Sequence, residues 1–257
     1  MSTIFKDIDI KNWEKNSLNN VLGICGFFPA YVNYLFVRDK NKVLIIGDYK
    51  GRDYNFLKRF GKDITVFDIN LQSNIEIEDQ VIGDANNDLP FESKCFDAVV
   101  VFDVIEHLLN DGNFLLEVRR ILKEDGTLSF AAPFLNDYAD FHLRIHSDST
   151  VKRLLGVSGF RITDFVYRGA FLYLNNLLGF VDGAFIKLIS LFSKKDAVVL
   201  RLRVNEFITN KILVPIGKRK VGKFLSRYIK GYYGCFVRAI KGEFLNINEI
   251  NISKFKG

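Results

Sequence analysis

Between residues 42 and 167, short apolar runs alternate with amphipathic segments, and several of the runs end in a glycine or an acid. Continuous apolar runs of this length, rich in β-branched residues, are typical of buried parallel strands. The predicted strands are 42–47, 64–68, 81–82, 96–103, 127–132 and 160–167, with a further strand at 232–240. Helical periodicity lies between them at 53–60, at 111–122 and from Ser147 onward. Strands and helices that alternate with short connections predict an α/β fold with a doubly wound parallel sheet.

Composition limits the kind of protein. Apolar residues make up 48% of the chain and there are only 4 prolines, as expected for a packed globule. The 3 cysteines and 3 histidines show no metal-ligand spacing, so we predict no metal site and a reducing compartment. Asp7, Asp9 and Glu14 precede the apolar run 21–37, where a secretory signal would carry positive charge, and this argues against such a signal. That run is either a packed helical segment or a membrane contact.

The charge is uneven along the chain. Residues 169–231 hold 12 basic and 3 acidic residues, a net +9, so the remainder of this +6 chain sums to −3. Apolar residues at helical spacing begin this region, and it interrupts the alternation of strands and helices. We therefore predict a basic amphipathic helical insertion. The predicted organisation is a helical segment at 1–41, a core at 42–168 plus 232–243, the insertion at 169–231 and a tail at 244–257.

Three interpretations of the insertion stay open. It can be a helical subdomain over the active site, or a contact in a homo-oligomer. It can dock on an anionic membrane, because basic residues beside apolar ones suit an interface. Nucleic-acid binding is the least favoured interpretation, since no recognition module is apparent. We expect a cytoplasmic protein, with peripheral contact at the inner membrane face as one alternative.

The strand ends carry the candidate binding residues. Gly47 and Gly51 bracket the turn after the first strand, where backbone N–H groups and a helix N-terminus favour an anionic group. Asp68 ends the second strand about twenty residues later, where an acid can accept both hydroxyls of a ribose. Asp84 follows the third strand and could accept from an exocyclic amine of a purine. Parallel strands would bring these residues to one crevice.

Six segments occur in a fixed order along the chain: VLIIGDYKGRD at 43–53, VFDI at 66–69, GDANNDLPF at 83–91, FDAV at 96–99, DVIEHL at 103–108 and EVRRILKEDG at 117–126. Together they resemble the successive motifs of class I S-adenosylmethionine-dependent methyltransferases, in particular the small-molecule (type 11) group that includes quinone-ring and sugar methyltransferases. The resemblance implies a Rossmann-like seven-stranded sheet whose last strand, at 232–241, is antiparallel. It also implies S-adenosylmethionine as cofactor.

The resemblance further implies roles for individual residues. Residues 47–51 would wrap the methionine end, Asp68 the ribose and Asp84 the adenine. The implied cofactor contacts are Gly47, Asp48, Tyr49, Gly51, Asp68, Ile69, Asp84, Ala85, Phe102 and Asp103. Ile45 and Tyr49 stand where the family usually has an acid and a third glycine, which bears directly on cofactor affinity.

Histidines supply the candidate catalytic base, which is needed only if the acceptor has a high pKa. His107 follows the fourth strand, and His142 and His146 follow the fifth, so all three fall at the ligand-binding edge of the sheet. Two functions remain open. One is methyl transfer to a small or amphiphilic acceptor that is sugar-derived, lipid-linked or quinone-like. The other is a methyltransferase-like binding or scaffold protein without catalysis.

Overall fold

The computed structural model describes residues 27–48, 51–70, 76–134, 141–169 and 232–246. These residues form, in chain order, α1 (Phe27–Val37), β1 (Lys42–Ile46), α2 (Arg52–Lys58), β2 (Asp63–Asp68), β3 (Gln80–Ile82), β4 (Phe96–Phe102), a 3₁₀ helix (Ile105–His107), α3 (Asp111–Ile121), β5 (Leu122–Pro133), α4 (Asp148–Val157), β6 (Phe160–Gly169) and β7 (Tyr232–Lys241).

One sheet of seven strands organises these elements, in the order β3-β2-β1-β4-β5-β7-β6. Strands β1 to β5 pair in parallel, whereas β7 runs antiparallel to both β5 and β6. The predicted fold class is confirmed, including the antiparallel last strand. The predicted fifth strand, 127–132, was too short, because β5 starts directly at the end of α3 and Leu122 pairs with Phe96.

The sheet is covered on both faces, as its continuous apolar strands require. Alternate residues of β1 enter different cores, since successive strand side chains point to opposite faces. Leu44 and Ile46 pack in one cluster with side chains of α3 and α4, and Val43 and Ile45 pack in the other with α1 and α2. These four of the five β1 side chains are buried, which anchors the strand that leads into the glycine turn.

Helix α1 is the described part of the apolar run 21–37. Val32, Leu35, Phe36 and Val37 are buried against α2 and the sheet, so this part is a packed helix. Within the ranges that the structure describes, no helix combines the length and the apolar character needed to cross a bilayer. Residues 1–26, the predicted insertion beyond Gly169 and the tail beyond residue 246 lie outside the described residues.

The strand order fixes where a ligand can bind. The chain moves from β1 to β2 and β3 on one side, and then returns to place β4 and β5 on the other. Loops after β1 and β4 therefore leave in opposite directions and open a crevice at the carboxyl ends of these two strands. The predicted site residues that the structure describes follow the carboxyl ends of β1 to β5.

Candidate functional site

The turn after β1 is a sharp reversal built on two glycines. Gly47 and Gly51 have φ angles of +73° and +65°, in the left-handed region that L residues with a side chain rarely adopt. The Gly47 N–H donates to the carbonyl of Phe67 at 3.0 Å, which ties the turn to the end of β2. A Cβ at Gly47 would lie 2.4 Å from Cγ2 of Val104. The backbone at Gly47 is therefore packed closely against the segment that follows β4. The predicted contact Tyr49 lies outside the described residues.

Asp48 caps helix α2 from within the turn. Its two carboxylate oxygens accept from the backbone N–H groups of Asp53 and Tyr54, both at 2.9 Å, and the residue is fully buried. Two of the N–H groups at this helix N-terminus thus donate to the chain's own carboxylate, and the Asp48 side chain turns inward. The expected contact of this turn with an anionic cofactor group stays a prediction, and it would have to use other backbone groups of the turn.

A buried polar chain lies beneath this turn. Asp53 accepts from the side-chain amide of Asn33 on α1 at 2.7 Å, and the Asn33 carbonyl accepts from the hydroxyl of Ser129 on β5 at 2.8 Å. Burial, and then the neighbouring charge of Asp53, raise the pKa of Asp48 to about 7. The glycine turn is therefore supported by two acids, and Asn33 links one of them to the sheet.

Asp68 and Asp84 lie at adjacent strand ends. The Asp68 carbonyl accepts from Gly83 N–H at 3.0 Å, which joins the ends of β2 and β3, and its side chain is part-exposed. The neighbouring Ile69 is 63% exposed, so an apolar surface flanks Asp68. Oδ1 of Asp84 accepts from both the backbone N–H and the side-chain amide of Asn86 at 2.9 Å, which makes it a turn residue as well as a candidate contact. Ala85 packs against the core.

Phe102 and Asp103 end β4 beside the glycine turn. Phe102 is nearly buried, and the guanidinium carbons of Arg52 and Arg168 lie 4.1 and 5.1 Å from its ring centroid. Asp103 has φ +51° and accepts from the guanidinium of Arg168 at 2.5 Å. Two cations thus lie over the ring of Phe102, beside the predicted cofactor contacts Phe102 and Asp103.

Arg168 is a residue that sequence reasoning missed. It stands near the end of β6, and its side chain passes Gly234 on β7, where a Cβ would lie 2.9 Å from Cδ of Arg168. Its position at the site could have been predicted in part, since β6 is parallel to β5 and therefore ends at the same edge of the sheet. The partner, Asp103, could not be predicted, because it depends on how far a side chain reaches across β7.

Two of the three predicted histidines come together after β4. The ring centroids of His107 and His142 are 5.1 Å apart, and Phe141 stacks on His107 at 5.5 Å with an interplanar angle of 11°. Nε2 of His107 lies 3.8 Å from Oε1 of Glu106, a carboxyl that is 1% exposed. Burial, and then the proximity of His142, lower the pKa of His107, so its imidazole is neutral at pH 7.

His146 differs from His107 and His142 in its environment, because its side chain is buried. It forms a β-bridge with Phe134, directly after β5. Burial lowers its pKa, and Nε2 has no hydrogen-bond partner among the residues that the structure describes. His107 and His142, both part-exposed, are therefore better placed than His146 to meet an acceptor.

Comparison with known proteins adds a family to this geometry. Residues 44–130 match the family model described as a methyltransferase domain, a range that runs from β1 into β5. A search of curated protein sequences found no match.

Solved structures share the fold at low sequence identity. A S-adenosylmethionine-dependent methyltransferase from Archaeoglobus fulgidus is 16% identical with a TM-score of 0.55, covering 89% of this chain and 100% of that one. The [4+2]-cyclase SpnF is 15% identical with a TM-score of 0.53, covering 83% and 81%. A Burkholderia thailandensis 1,6-didemethyltoxoflavin-N1-methyltransferase, solved with S-adenosylhomocysteine, is 13% identical with a TM-score of 0.50, covering 85% and 79%. Residues 44–130 are therefore similar to a methyltransferase domain, and the sheet order of the described residues is that of the class I methyltransferase fold.

Proposed function

We propose that this protein transfers the methyl group of S-adenosylmethionine to a small or amphiphilic acceptor. The observation that carries the proposal is the joint position of the glycine turn and Asp68. Gly47 N–H is bonded to the carbonyl of Phe67, so the turn and the acid adjoin at the carboxyl edge of β1 and β2. This is the edge at which open α/β sheets bind nucleosides.

The residues at this edge fit the cofactor by their chemistry. The backbone of Gly47 and Gly51 carries no side chain that would block a close approach, and the part-exposed carboxylate of Asp68 can accept from ribose hydroxyls. Exposed Ile69 offers an apolar surface next to them. When bound, the cofactor supplies an already activated methyl group, so the protein mainly aligns the reactants and excludes water.

The acceptor would lie on the other side of the switch point, after β4. Transfer to a hydroxyl releases a proton, and the imidazole of His107 or of His142 could accept it. Large apolar side chains are exposed around these histidines: Leu109, Phe141, Leu143 and Ile145 are each more than half exposed. An acceptor with an apolar part, such as a quinone-like or lipid-linked molecule, would cover that surface.

A second candidate function is a binding protein of this fold without methyl transfer. Two observations favour it: Asp48 accepts from two backbone N–H groups at the start of α2, and SpnF, a [4+2]-cyclase, has the same fold. A fold alone does not establish a reaction.

Titration calorimetry with S-adenosylmethionine and with S-adenosylhomocysteine distinguishes the two. We expect micromolar binding to the wild type and a loss of affinity of about 2 kcal/mol or more in Asp68→Ala, because hydrogen bonds to a charged group contribute about that much. Asp63→Ala is the matched control, since it removes an acid from the opposite, exposed end of the same strand. Equal affinity in both variants, or no binding to the wild type, would overturn the proposal.

The membrane part of the proposal has its own test. We propose that the basic region 169–231, together with the exposed apolar residues near His107, brings the protein to the cytoplasmic face of an anionic membrane, where a lipid-linked acceptor resides. Sedimentation with phosphatidylglycerol vesicles should pellet the full chain at low salt, and phosphatidylcholine vesicles should not. Absence of binding to both vesicle types would overturn the membrane part of the proposal, and the acceptor would then be a small, freely diffusing molecule.

A further inference from the structure

We propose that Glu106, His107 and His142 form a binding site for a divalent transition-metal ion, with zinc as the representative ion. One ligand atom from each of the three residues lies within 4.8 Å of the other two. The sequence analysis predicts no metal site, because it relied on ligands spaced closely in sequence, and His142 is 35 residues beyond His107.

The ligand set selects the kind of metal. Imidazole suits zinc, iron, copper and nickel, whereas magnesium and calcium prefer oxygen ligands. Two histidines and one glutamate are also the ligand set of catalytic zinc sites that keep a fourth position open for a water or substrate. A cluster with one carboxylate and two imidazoles therefore fits a first-row divalent ion better than magnesium.

The distances are compatible with binding after a small side-chain movement. Zinc bonds of about 2.0–2.2 Å in a tetrahedron place ligand atoms roughly 3.4 Å apart. Nε2 of His107 and Oε1 of Glu106 are already 3.8 Å apart. His107 and His142 are part-exposed, so rotation of their side chains can close the remaining gap without displacing the core.

Main-chain hydrogen bonds hold the two halves of the site together. The carbonyl of Glu106 accepts from the N–H groups of Leu143 and Arg144 at 2.8 and 2.9 Å. The guanidinium of Arg144 also donates to the carbonyl of Leu109. These bonds place the segment that carries His142 against the 3₁₀ helix, so the cluster follows from the backbone and not from chance side-chain conformations.

The surroundings of the ligands match those of metal sites. The imidazole of His107 is hydrogen-bonded to the backbone carbonyl of Phe141, and such a bond typically orients a metal-binding histidine through its other ring nitrogen. Glu106 is almost completely buried, and a buried carboxylate is stabilised when it is paired or coordinates a metal. A bound cation would therefore meet a pre-oriented imidazole and a carboxylate shielded from solvent.

The position of the cluster indicates what the open coordination site would take. The 3₁₀ helix starts two residues after Asp103, at the carboxyl edge of β4. A metal there would bind an acceptor through an oxygen and lower the pKa of a hydroxyl, so that the two histidines serve as ligands and not as the base. This role in acceptor binding rests on the proposed function, but the metal site itself does not.

Zinc binding by the full-length, untagged protein tests the proposal. After treatment with chelator, titration calorimetry with ZnCl₂ should show one site of micromolar or tighter affinity. Glu106→Gln, His107→Ala and His142→Ala should each weaken binding about 100-fold or more, since each removes one of three protein ligands. His146→Asn is the control: it removes a histidine of the same segment that lies outside the cluster, and it should bind zinc as the wild type does. Cobalt(II) should give the strong visible absorption of a tetrahedral site.

The results separate this proposal from the proposed function. Zinc affinity that is unchanged in His142→Ala, or no binding at millimolar ZnCl₂, overturns the metal site. Tighter binding of MgCl₂ than of ZnCl₂ also overturns it, because imidazole ligands would then not be involved. Asp68→Ala should keep zinc binding, so a protein that binds zinc but not S-adenosylmethionine would refute only the methyltransferase proposal. Circular dichroism of each variant verifies that the fold is retained.

Discussion

Gly47→Ala tests whether the turn after β1 is built by close packing as well as by backbone conformation. The turn needs φ +73° at this position, and a Cβ would lie 2.4 Å from Cγ2 of Val104. Gly61 is the matched control, because its φ of +65° is similar but a Cβ there would meet nothing within 4 Å. Both substitutions therefore introduce the same backbone strain, and only Gly47→Ala also introduces a steric conflict.

The expected magnitudes follow from these two terms. A left-handed conformation in an L residue costs about 1–2 kcal/mol, so Gly61→Ala should lower the free energy of unfolding by roughly that amount. Forcing an extra methyl group into a packed site costs about 1–3 kcal/mol more. Gly47→Ala should therefore destabilise the protein by roughly 2–5 kcal/mol. The smaller unfolded-state entropy of alanine offsets a similar part of both values.

A double-mutant cycle assigns the difference to Val104. Val104→Ala removes the methyl group that the new Cβ would contact, so the pair Gly47→Ala and Val104→Ala should be less destabilising than the sum of the single changes, by about 1–3 kcal/mol. Urea denaturation followed by circular dichroism measures all four proteins. Equal losses of stability in Gly47→Ala and Gly61→Ala would refute the steric argument, as would strict additivity of the cycle.

Two further predictions concern the acids beneath the turn. Because the pKa of Asp48 is raised by burial to about 7, the folded protein gains stability from its protonation at low pH and loses it as the pH rises through 7. The stability difference between Asp48→Asn and the wild type should therefore shift in favour of the variant by up to roughly 4 kcal/mol between pH 4 and 8. Urea unfolding at pH 4, 5, 6, 7 and 8 measures it, and a constant difference would contradict the assignment; the histidines affect both proteins equally. Asn33→Ala should cost about 2–3 kcal/mol by removing partners from Asp53 and Ser129, and Ser129→Ala about 1 kcal/mol. Equal losses in the two variants would argue against the Asn33–Asp53 bond as the stronger link.

The sheet could be predicted because its strands are buried on both faces. The β-branched runs of β1 and β4 have no polar face, so the sequence alone indicates central parallel strands. The glycine and the acids that stop each run then predict the strand ends to within a residue or two. Asp68 was placed at the end of β2 for this reason, and the structure has it there.

Other parts of the site depend on the path of the chain between strands. Periodicity says where β5 ends but not that the segment 141–146 folds back to bond with the carbonyl of Glu106. The direction of the Asp48 side chain also could not be predicted from the sequence, because a carboxylate in such a turn can face either a ligand or the helix N-terminus. In the structure the Asp48 carboxylate faces the helix, where it accepts from two backbone N–H groups at 2.9 Å.

The family model covers the two halves of the site unequally, and this determines where new experiments are most informative. Residues 44–130 include the glycine turn, Asp68 and Asp84, which form the proposed cofactor side of the switch point. His142 and Arg168 lie beyond residue 130, yet they reach back to Glu106 and Asp103 at the end of β4. Since binding residues on loops vary more than the scaffold that carries them, we expect this second half to select the acceptor. Acceptor screens should therefore compare the wild type with His142→Ala, and an acceptor whose turnover is insensitive to that change is not bound at the proposed metal site.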